Sequence, residues 1–115
     1  MKYVLLICTP VDGEELSPAE IADDPRFTSY IEEVRSRDLM RGGARLRPSS
    51  DATTVRVQGD EVLLSDGPFV ESKEWICGFD ILECDDLDEA IAIAARHPQA
   101  NGGKLELRPF WTDEV

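Results

Sequence analysis

Apolar residues recur along the chain at two spacings, and these predict strands and helices. A continuous apolar run over residues 3–8 is typical of a central strand covered on both faces. After Asp24 and Pro25 the spacing becomes helical, and one stripe contains Phe27, Tyr30, Ile31 and Val34. Asp86, with Glu89 three residues later, predicts the start of a second helix. The apolar face expected for that helix consists of Leu87, Ala90, Ile91, Ala94 and Ala95.

Alternation of apolar and polar residues predicts the remaining strands. They are residues 40–47, 53–58, 62–64, 75–84 and 104–110. Gly42 and Gly43 permit a bend or a bulge, and Gly59 with Asp60 can form the turn of a hairpin. The resulting order is strand, helix, strand, hairpin, strand, helix, strand. We therefore expect one α+β domain over residues 1–115, with a ferredoxin-like split βαβ fold, an antiparallel sheet carrying both helices on one face, and an inserted hairpin.

Composition narrows the function classes. The 115 residues include 24 acidic and 12 basic ones, which gives a net charge of −12. This charge repels a phosphate backbone, so we expect no direct binding of nucleic acid. No apolar run approaches the roughly 20 residues of a membrane-spanning helix, and the three cysteines lie in apolar strands rather than in a disulfide framework. We expect a cytoplasmic protein with reduced thiols and no membrane contact. We also expect neither a metal nor a cofactor, because His pairs, close Cys pairs and Gly-rich phosphate loops are absent from the sequence.

A run of turn-forming and charged residues precedes the fifth predicted strand. It reads Asp66-Gly67-Pro68-Phe69-Val70-Glu71-Ser72-Lys73-Glu74 and continues as Trp75-Ile76-Cys77-Gly78-Phe79. The first three residues suit a tight turn between strands. The two carboxylates and the ammonium that follow are more charge than a turn needs, and loops on a rigid sheet often carry binding sites. A plain turn and a ligand-binding loop both remain open.

Together with the first strand Met1-Lys2-Tyr3-Val4-Leu5-Leu6-Ile7 and the last strand Leu105-Glu106-Leu107-Arg108-Pro109-Phe110, this run resembles the DGPF branch of the YCII-related proteins over essentially the whole chain. The resemblance implies a homodimer of the dimeric α/β barrel type, in which a second copy covers the free sheet face. It also implies a ligand cleft beside the motif, with candidate contacts at Asp66, Gly67, Pro68, Phe69, Glu71 and Lys73. The biochemical activity of the family is largely unassigned.

Arginines on alternate strand positions suggest a second set of contacts. If Ala44 and Leu46 face the helices, Arg45 points to the opposite sheet face, and the same alternation places Arg56 and Arg108 there. A guanidinium offers a planar fork to a carboxylate or phosphate. Arg45, Arg56 and Arg108 are therefore candidate contacts for a small anion. The alternative is an ordinary solvated or dimer-contact face.

One histidine, His97, is present, at the predicted end of the second helix. A capping or surface role is favoured there over general-base catalysis. Some YCII-related proteins carry a histidine and an aspartate at the first helix that have been suggested as an acid/base pair. In this chain Arg26 and Phe27 lie about where that histidine would be, so the pair does not transfer.

Three functions fit these observations. The first is binding of a small polar or anionic ligand beside the DGPF loop. The second is an enzyme that performs acid/base chemistry on an aromatic or polyketide-like molecule, which would need another base such as Asp66, Glu71 or His97. The third is a partner-binding module linked to sigma-factor regulation, as the resemblance implies, with an apolar patch near Phe110 and Trp111.

Overall fold

The computed structural model describes residues 1–10, 18–67 and 74–112. In chain order its elements are β1 (Lys2–Pro10), α1 (Pro18–Ala22), α2 (Pro25–Ser36), β2 (Met40–Arg45), β3 (Thr53–Gln58), β4 (Glu61–Asp66), β5 (Glu74–Glu83), α3 (Leu87–Ala94) and β6 (Lys104–Pro109). Short 3-10 turns cover Ser49–Asp51 and Pro98–Ala100. Within these three ranges no helix is both long and apolar enough to cross a bilayer.

Four strands form one antiparallel sheet in the order β2-β5-β1-β6, and β3 pairs with β4 in a separate two-stranded sheet. The helix α2 joins β1 to β2, which have β5 between them. The helix α3 joins β5 to β6, which have β1 between them. This strand order is that of a split βαβ unit. The prediction of a mixed α+β fold with an antiparallel sheet and an inserted hairpin is confirmed.

One face of the four-stranded sheet packs against the helices. Tyr3, Leu5 and Ile7 of β1 are buried on this face, where they meet Tyr30 and Val34 of α2. The other buried members of this core are Leu39, Leu82, Cys84, Ala90, Ile93 and Ala94. A helix with an apolar stripe must bury it, and the sheet supplies the surface.

The two long helices begin where the sequence predicted. Asp24 and Asp86 each accept a hydrogen bond from a backbone N–H of the first turn, at 2.9 Å. The predicted apolar face of α3 was partly wrong. Leu87, Ile91 and Ala95 are exposed, whereas Ile93 is buried. The packed stripe of α3 instead consists of Ala90, Ile93 and Ala94.

The opposite side of the sheet is left uncovered by every element that the structure describes. Val4 and Leu6 of β1 and Phe79 and Ile81 of β5 are half-buried there, and Ile76 is exposed. Alternation from the strand pairing defines this open sheet face as Lys2, Val4, Leu6, Cys8, Glu74, Ile76, Phe79, Ile81, Glu83, Lys104, Glu106 and Arg108.

The strands β3 and β4 form a projecting hairpin arm, residues 53–66. Gly59 adopts φ 61° at its tip, a conformation that favours glycine, so the predicted two-residue turn is confirmed. On one side of the arm the paired residues are Val55 with Leu64 and Val57 with Val62. The arm pairs with none of the other strands described, and so both of its long edges are open.

Candidate functional site

A cavity of about 540 Å³ lies on the helix face of the sheet. Its walls are formed by α1, α2, β2, β5 and the segment after α3. The large apolar side chains that line it are Ile7, Ile21, Phe27, Ile31 and Met40. The charged and polar ones are Asp24, Arg26, Arg35, Arg45, Asp80, His97, Gln99 and Asn101. This volume, with largely apolar walls and a few polar groups, is usual for a small-molecule site.

Asp80 is a carboxyl group held inside this cavity by a tyrosine. It lies opposite Leu5 in the pairing of β5 with β1, and therefore points to the helix face. The hydroxyl of Tyr30 donates to Asp80 Oδ2 at 2.7 Å. Burial raises the pKa of Asp80, and the hydrogen bond from Tyr30 opposes that rise only in part. The pKa of Tyr30 is itself raised, by burial first and then by the neighbouring carboxylate, so the phenol stays protonated.

His97 forms the third member of this cluster. Its ring stands edge-on to Tyr30, with 4.8 Å between centroids, and edge-on to Phe27 at 6.1 Å. Nδ1 accepts from the backbone N–H of Gln99 at 3.1 Å, so in the neutral ring Nε2 carries the proton. No hydrogen bond from this N–H is found among the described residues, and His97 is one of the residues that line the cavity.

The structure corrects the predicted role of His97. A surface position was wrong, because only 5% of the residue is exposed. Capping of the second helix was also wrong, because the ring caps the start of the 3-10 turn Pro98–Ala100, whereas the C-cap of α3 is Ala95. Burial lowers the pKa of His97 to about 4, so the ring is neutral at physiological pH. The imidazole of His97 thus lies beside Phe27 in space, although the two residues are far apart in the sequence.

A bulge in β2 determines which side chains enter the cavity. The register with β5 shifts between Met40 and Gly42, so that one extra residue is inserted. Gly43 then lies opposite Asp80, where a Cβ would come within 2.3 Å of Asp80 Oδ1. Only glycine leaves room for the carboxylate at this position. The bulge that Gly42 and Gly43 were predicted to permit is confirmed.

The same bulge overturns the predicted direction of Arg45. The predicted alternation, with Ala44 and Leu46 facing the helices, placed Arg45 on the opposite sheet face. With one residue inserted, Arg45 pairs with Gly78 on the helix face and lines the cavity. One extra residue exchanges the two faces for every position that follows it. Arg45 and Arg108 therefore lie on opposite sides of the sheet.

Three guanidinium groups border the cavity. Arg26 forms an ion pair with Asp24, at 2.9 Å between Nη2 and Oδ2. Arg35 extends from α2 and forms none of the ion pairs found among the described residues. Arg45 reaches the rim from β2. The cavity thus combines a cationic rim with an apolar interior that contains a neutral imidazole and a carboxyl of raised pKa.

The other predicted contacts lie away from this cavity. Arg56 is exposed on the arm opposite Leu63. Arg108 is on the open sheet face, where its Nη2 donates to Glu106 Oε2 at 2.6 Å. Asp66 ends β4 and is exposed. The structure therefore brings only Arg45 of the predicted arginines into the cavity.

Part of the DGPF motif lies outside the described residues. Its glycine, Gly67, has φ 87° and donates its amide N–H to the carbonyl oxygen of Ala52 at 2.7 Å, which fits a turn. Pro68, Phe69, Glu71 and Lys73 fall in the range that the structure does not describe. Their role in ligand contact stays a prediction.

Sequence reasoning missed Asp80, which lines the cavity, and Tyr30, which donates a hydrogen bond to it. Asp80 is the one acidic residue between Trp75 and Leu82, in an otherwise apolar strand, and this isolated charge was a usable signal. Tyr30 was placed in the apolar stripe of α2 by its spacing. Its hydroxyl function could be recognised only from its partner, 50 residues away.

The sheet, its two long helices and this cavity define a small α+β domain that carries a pocket on the helix face of its sheet. The family model of the YCII-related domain matches residues 1–112, and the chain belongs to this family. The chain is also 43% identical over 69 residues to "Uncharacterized protein R00369" of Rhizobium meliloti (strain 1021). That match covers 58% of this chain and 56% of the relative. The resemblance to YCII-related proteins is confirmed, and membership of the DGPF branch stays a prediction.

Proposed function

We propose that the chain binds a small organic anion with an apolar body in the helix-side cavity. The observation that carries this proposal is the cationic rim of Arg35 and Arg45 above an apolar interior. An aromatic or branched carboxylate matches this arrangement, since its body would contact Phe27 and Ile31 while its carboxylate meets a guanidinium. The Nε2–H of His97 supplies a further neutral donor inside.

Isothermal titration with benzoate, phenylacetate, phenylpyruvate and inorganic phosphate tests this proposal. We expect at least one carboxylate to bind more tightly than phosphate. Arg35→Ala and Arg45→Ala should each weaken binding by about tenfold or more, because each removes a hydrogen bond to a charged group. Arg108→Ala is the matched control, since Arg108 lies on the opposite sheet face, and it should leave binding unchanged. Absence of binding by every probe, or equal loss in all three variants, would contradict the proposal.

We also propose that the protein is a homodimer that forms through the open sheet face, and that it resides in the cytoplasm. Support for the dimer comes from Val4, Leu6, Phe79 and Ile81, which form a continuous apolar strip that no described element covers. Support for a reducing compartment comes from Cys8, Cys77 and Cys84, all of which are free thiols.

An acid/base enzyme is the second candidate, and Asp80 is the observation that favours it. A buried carboxyl with a raised pKa, oriented by Tyr30 and facing a ligand-sized cavity, is suited to accept a proton from a bound carbon acid. No described cation lowers its pKa. Asp80, rather than Asp66 or His97, is therefore the base that we propose.

Replacing Asp80 with asparagine separates catalysis from folding. In D₂O, the wild-type protein should speed deuterium incorporation at the methylene carbon of phenylpyruvate, which lies between the ring and the ketone, as measured by NMR. Asp80→Asn should reduce that rate by about 100-fold or more. The variant should be as stable as the wild type at pH 7, or more stable. A raised carboxyl pKa favours the folded state only at low pH and loses that contribution as pH rises through the folded pKa. Exchange at the same rate in both proteins would exclude Asp80 as the base.

The partner-binding module ranks third. Trp111 is 81% exposed, but Phe110 beside it is half-buried. A single exposed ring is a weaker indication than a contiguous apolar patch. The link to sigma-factor regulation stays a prediction.

A further inference from the structure

The hairpin arm exposes an apolar surface that its own chain leaves uncovered in the described structure. Val55, Val57, Val62 and Leu64 are 60%, 66%, 64% and 67% exposed. Because Val55 pairs with Leu64 and Val57 with Val62, all four side chains share one side of the arm. They form a contiguous apolar surface, which soluble monomers rarely leave in water.

Among the described elements, β3 and β4 contact chiefly each other, so the arm projects from the body, and the chain as a whole is less compact than an ordinary domain. The radius of gyration is 16.0 Å, whereas a compact domain of this length has about 13 Å. The accessible surface is 8199 Å², which is roughly 1,900 Å² more than the approximately 6,300 Å² expected for a monomer of this mass. This excess is large enough to supply one chain's share of a stable homodimer interface, typically about 800 Å² or more.

An isolated two-stranded hairpin is at best marginally stable in water. The arm has no third strand and no helix beneath it among the described residues. Its formation as regular β structure therefore requires a surface on which the four apolar side chains can be buried. The same chain offers one such surface, since the open sheet face contains the uncovered apolar strip of Val4, Leu6, Phe79 and Ile81.

The charges of the hairpin arm and of the open sheet face are compatible with contact between them. The chain carries −12 overall, but the open sheet face is balanced, with three basic and three acidic side chains: Lys2, Lys104, Arg108, Glu74, Glu83 and Glu106. The arm carries one basic and three acidic side chains: Arg56, Asp60, Glu61 and Asp66. A neutral face is the place where another acidic copy meets the least repulsion.

We infer that the hairpin arm packs its Val55, Val57, Val62 and Leu64 side onto the open sheet face of a second copy of this chain. Two-fold symmetry then gives each copy one donated arm and one covered face. This inference rests on the homodimer in the proposed function and is independent of what the cavity binds.

Sedimentation equilibrium on the whole chain tests the inference. The wild type should have the mass of two 12.8 kDa chains. Val57→Asp/Leu64→Asp should raise the dimer dissociation constant by at least about a hundredfold, because it places two charges on the buried side of the arm. The control Gln58→Asp/Ser65→Asp adds the same charge to the other side of the same hairpin. We expect its dissociation constant to stay within about threefold of the wild-type value.

A second variant keeps the test valid if the charged variant does not fold. Val57→Thr/Val62→Thr preserves β-branched side chains and strand propensity, and should still weaken the dimer measurably. Hydrogen exchange should show that the arm amides are protected only at concentrations where the dimer forms. If the charged variant dimerises as tightly as its control, the inference about the arm is wrong, but the homodimer proposal is unaffected. A wild type that is monomeric at about 100 µM overturns both the arm and the homodimer, whereas the cavity proposal is decided separately by its ligand titration.

Discussion

The cluster of Asp80, Tyr30 and His97 shows how neighbours rather than residue type set chemical character. Asp80 keeps a raised pKa because burial outweighs its one hydrogen bond. His97 is held neutral because burial disfavours its cation, and its ring packs against Tyr30 with 4.8 Å between the ring centroids. The cluster therefore offers a proton acceptor and a neutral donor in the same cavity at physiological pH.

Replacing His97 with asparagine tests this account through the pH dependence of stability. The folded pKa of about 4 lies below the unfolded value of 6.5. The neutral ring thus contributes stability above pH 6.5 that is lost as pH falls towards 4, up to about 3 kcal/mol. His97→Asn keeps the capping acceptor for Gln99 but has no such titration.

Urea unfolding from pH 7 to pH 4 provides the measurement. The stability of the wild type relative to His97→Asn should fall by about 3 kcal/mol over this range. Asp80 titrates with the opposite sign, but it is common to both proteins and cancels in the difference. Parallel curves for the two proteins would show that His97 titrates normally and is not held neutral by burial.

At the scale of elements, the bulge in β2 is the feature that builds the cavity. It inserts one residue between Met40 and Gly42, turns Arg45 to the helix face, and sets Gly43 against Asp80. The strand β2 therefore determines which side chains line the cavity, in addition to forming one edge of the sheet. Bulges are often found where a side chain must be redirected.

Gly43→Ala should disturb the close contact between β2 and β5 at Asp80. The added Cβ would lie 2.3 Å from Asp80 Oδ1 and 2.7 Å from the carbonyl oxygen of Phe79. Because a carbonyl of the neighbouring strand cannot move freely, we expect a loss of about 1–3 kcal/mol in urea unfolding, together with weaker carboxylate binding. Ala44→Ser, at the next and exposed position, should change stability by less than about 0.5 kcal/mol. Equal stability of the two variants would mean that β2 can shift without cost.

At the scale of the whole molecule, the helices cover one side of the sheet only. The cavity occupies the covered side, and the apolar strip of Val4, Leu6, Phe79 and Ile81 lies on the other. The two proposals thus place ligand binding and self-association on opposite faces of the same four strands. Because the faces are separate, we expect that a substitution can abolish ligand binding without weakening the dimer, or weaken the dimer without affecting ligand binding.

Two exposed isoleucines allow a matched test of the interface. Ile76 on the open sheet face is 44% exposed, and Ile91 on α3 is 50% exposed. Ile76→Glu should raise the dimer dissociation constant by about tenfold or more, because a charge would be buried against the second copy. Ile91→Glu should leave it unchanged, and both variants should keep carboxylate binding. A dimer that is weakened only by Ile91→Glu would move the interface to the helix side.

Much of the fold could be predicted because it is encoded in short stretches. Asp24 before Pro25, the glycine at the tip of the arm, and the spacing of Tyr30 and Val34 all act within a few residues. The prediction that Leu87 and Ile91 belong to the buried face of α3 was wrong. Apolar residues surround much of this helix, so its pattern does not decide which side packs against the sheet.

The sequence by itself determined the family, the order of elements and the antiparallel α+β plan, since capping, turn chemistry and periodicity are local. Only the tertiary structure decided the site. Asp80 meets Tyr30 across 50 positions, and His97 joins them from beyond α3. The direction of Arg45 depended on one inserted residue that only the pairing of β2 with β5 reveals. Long-range packing sets these distances and faces, and no local pattern records which distant partners will meet.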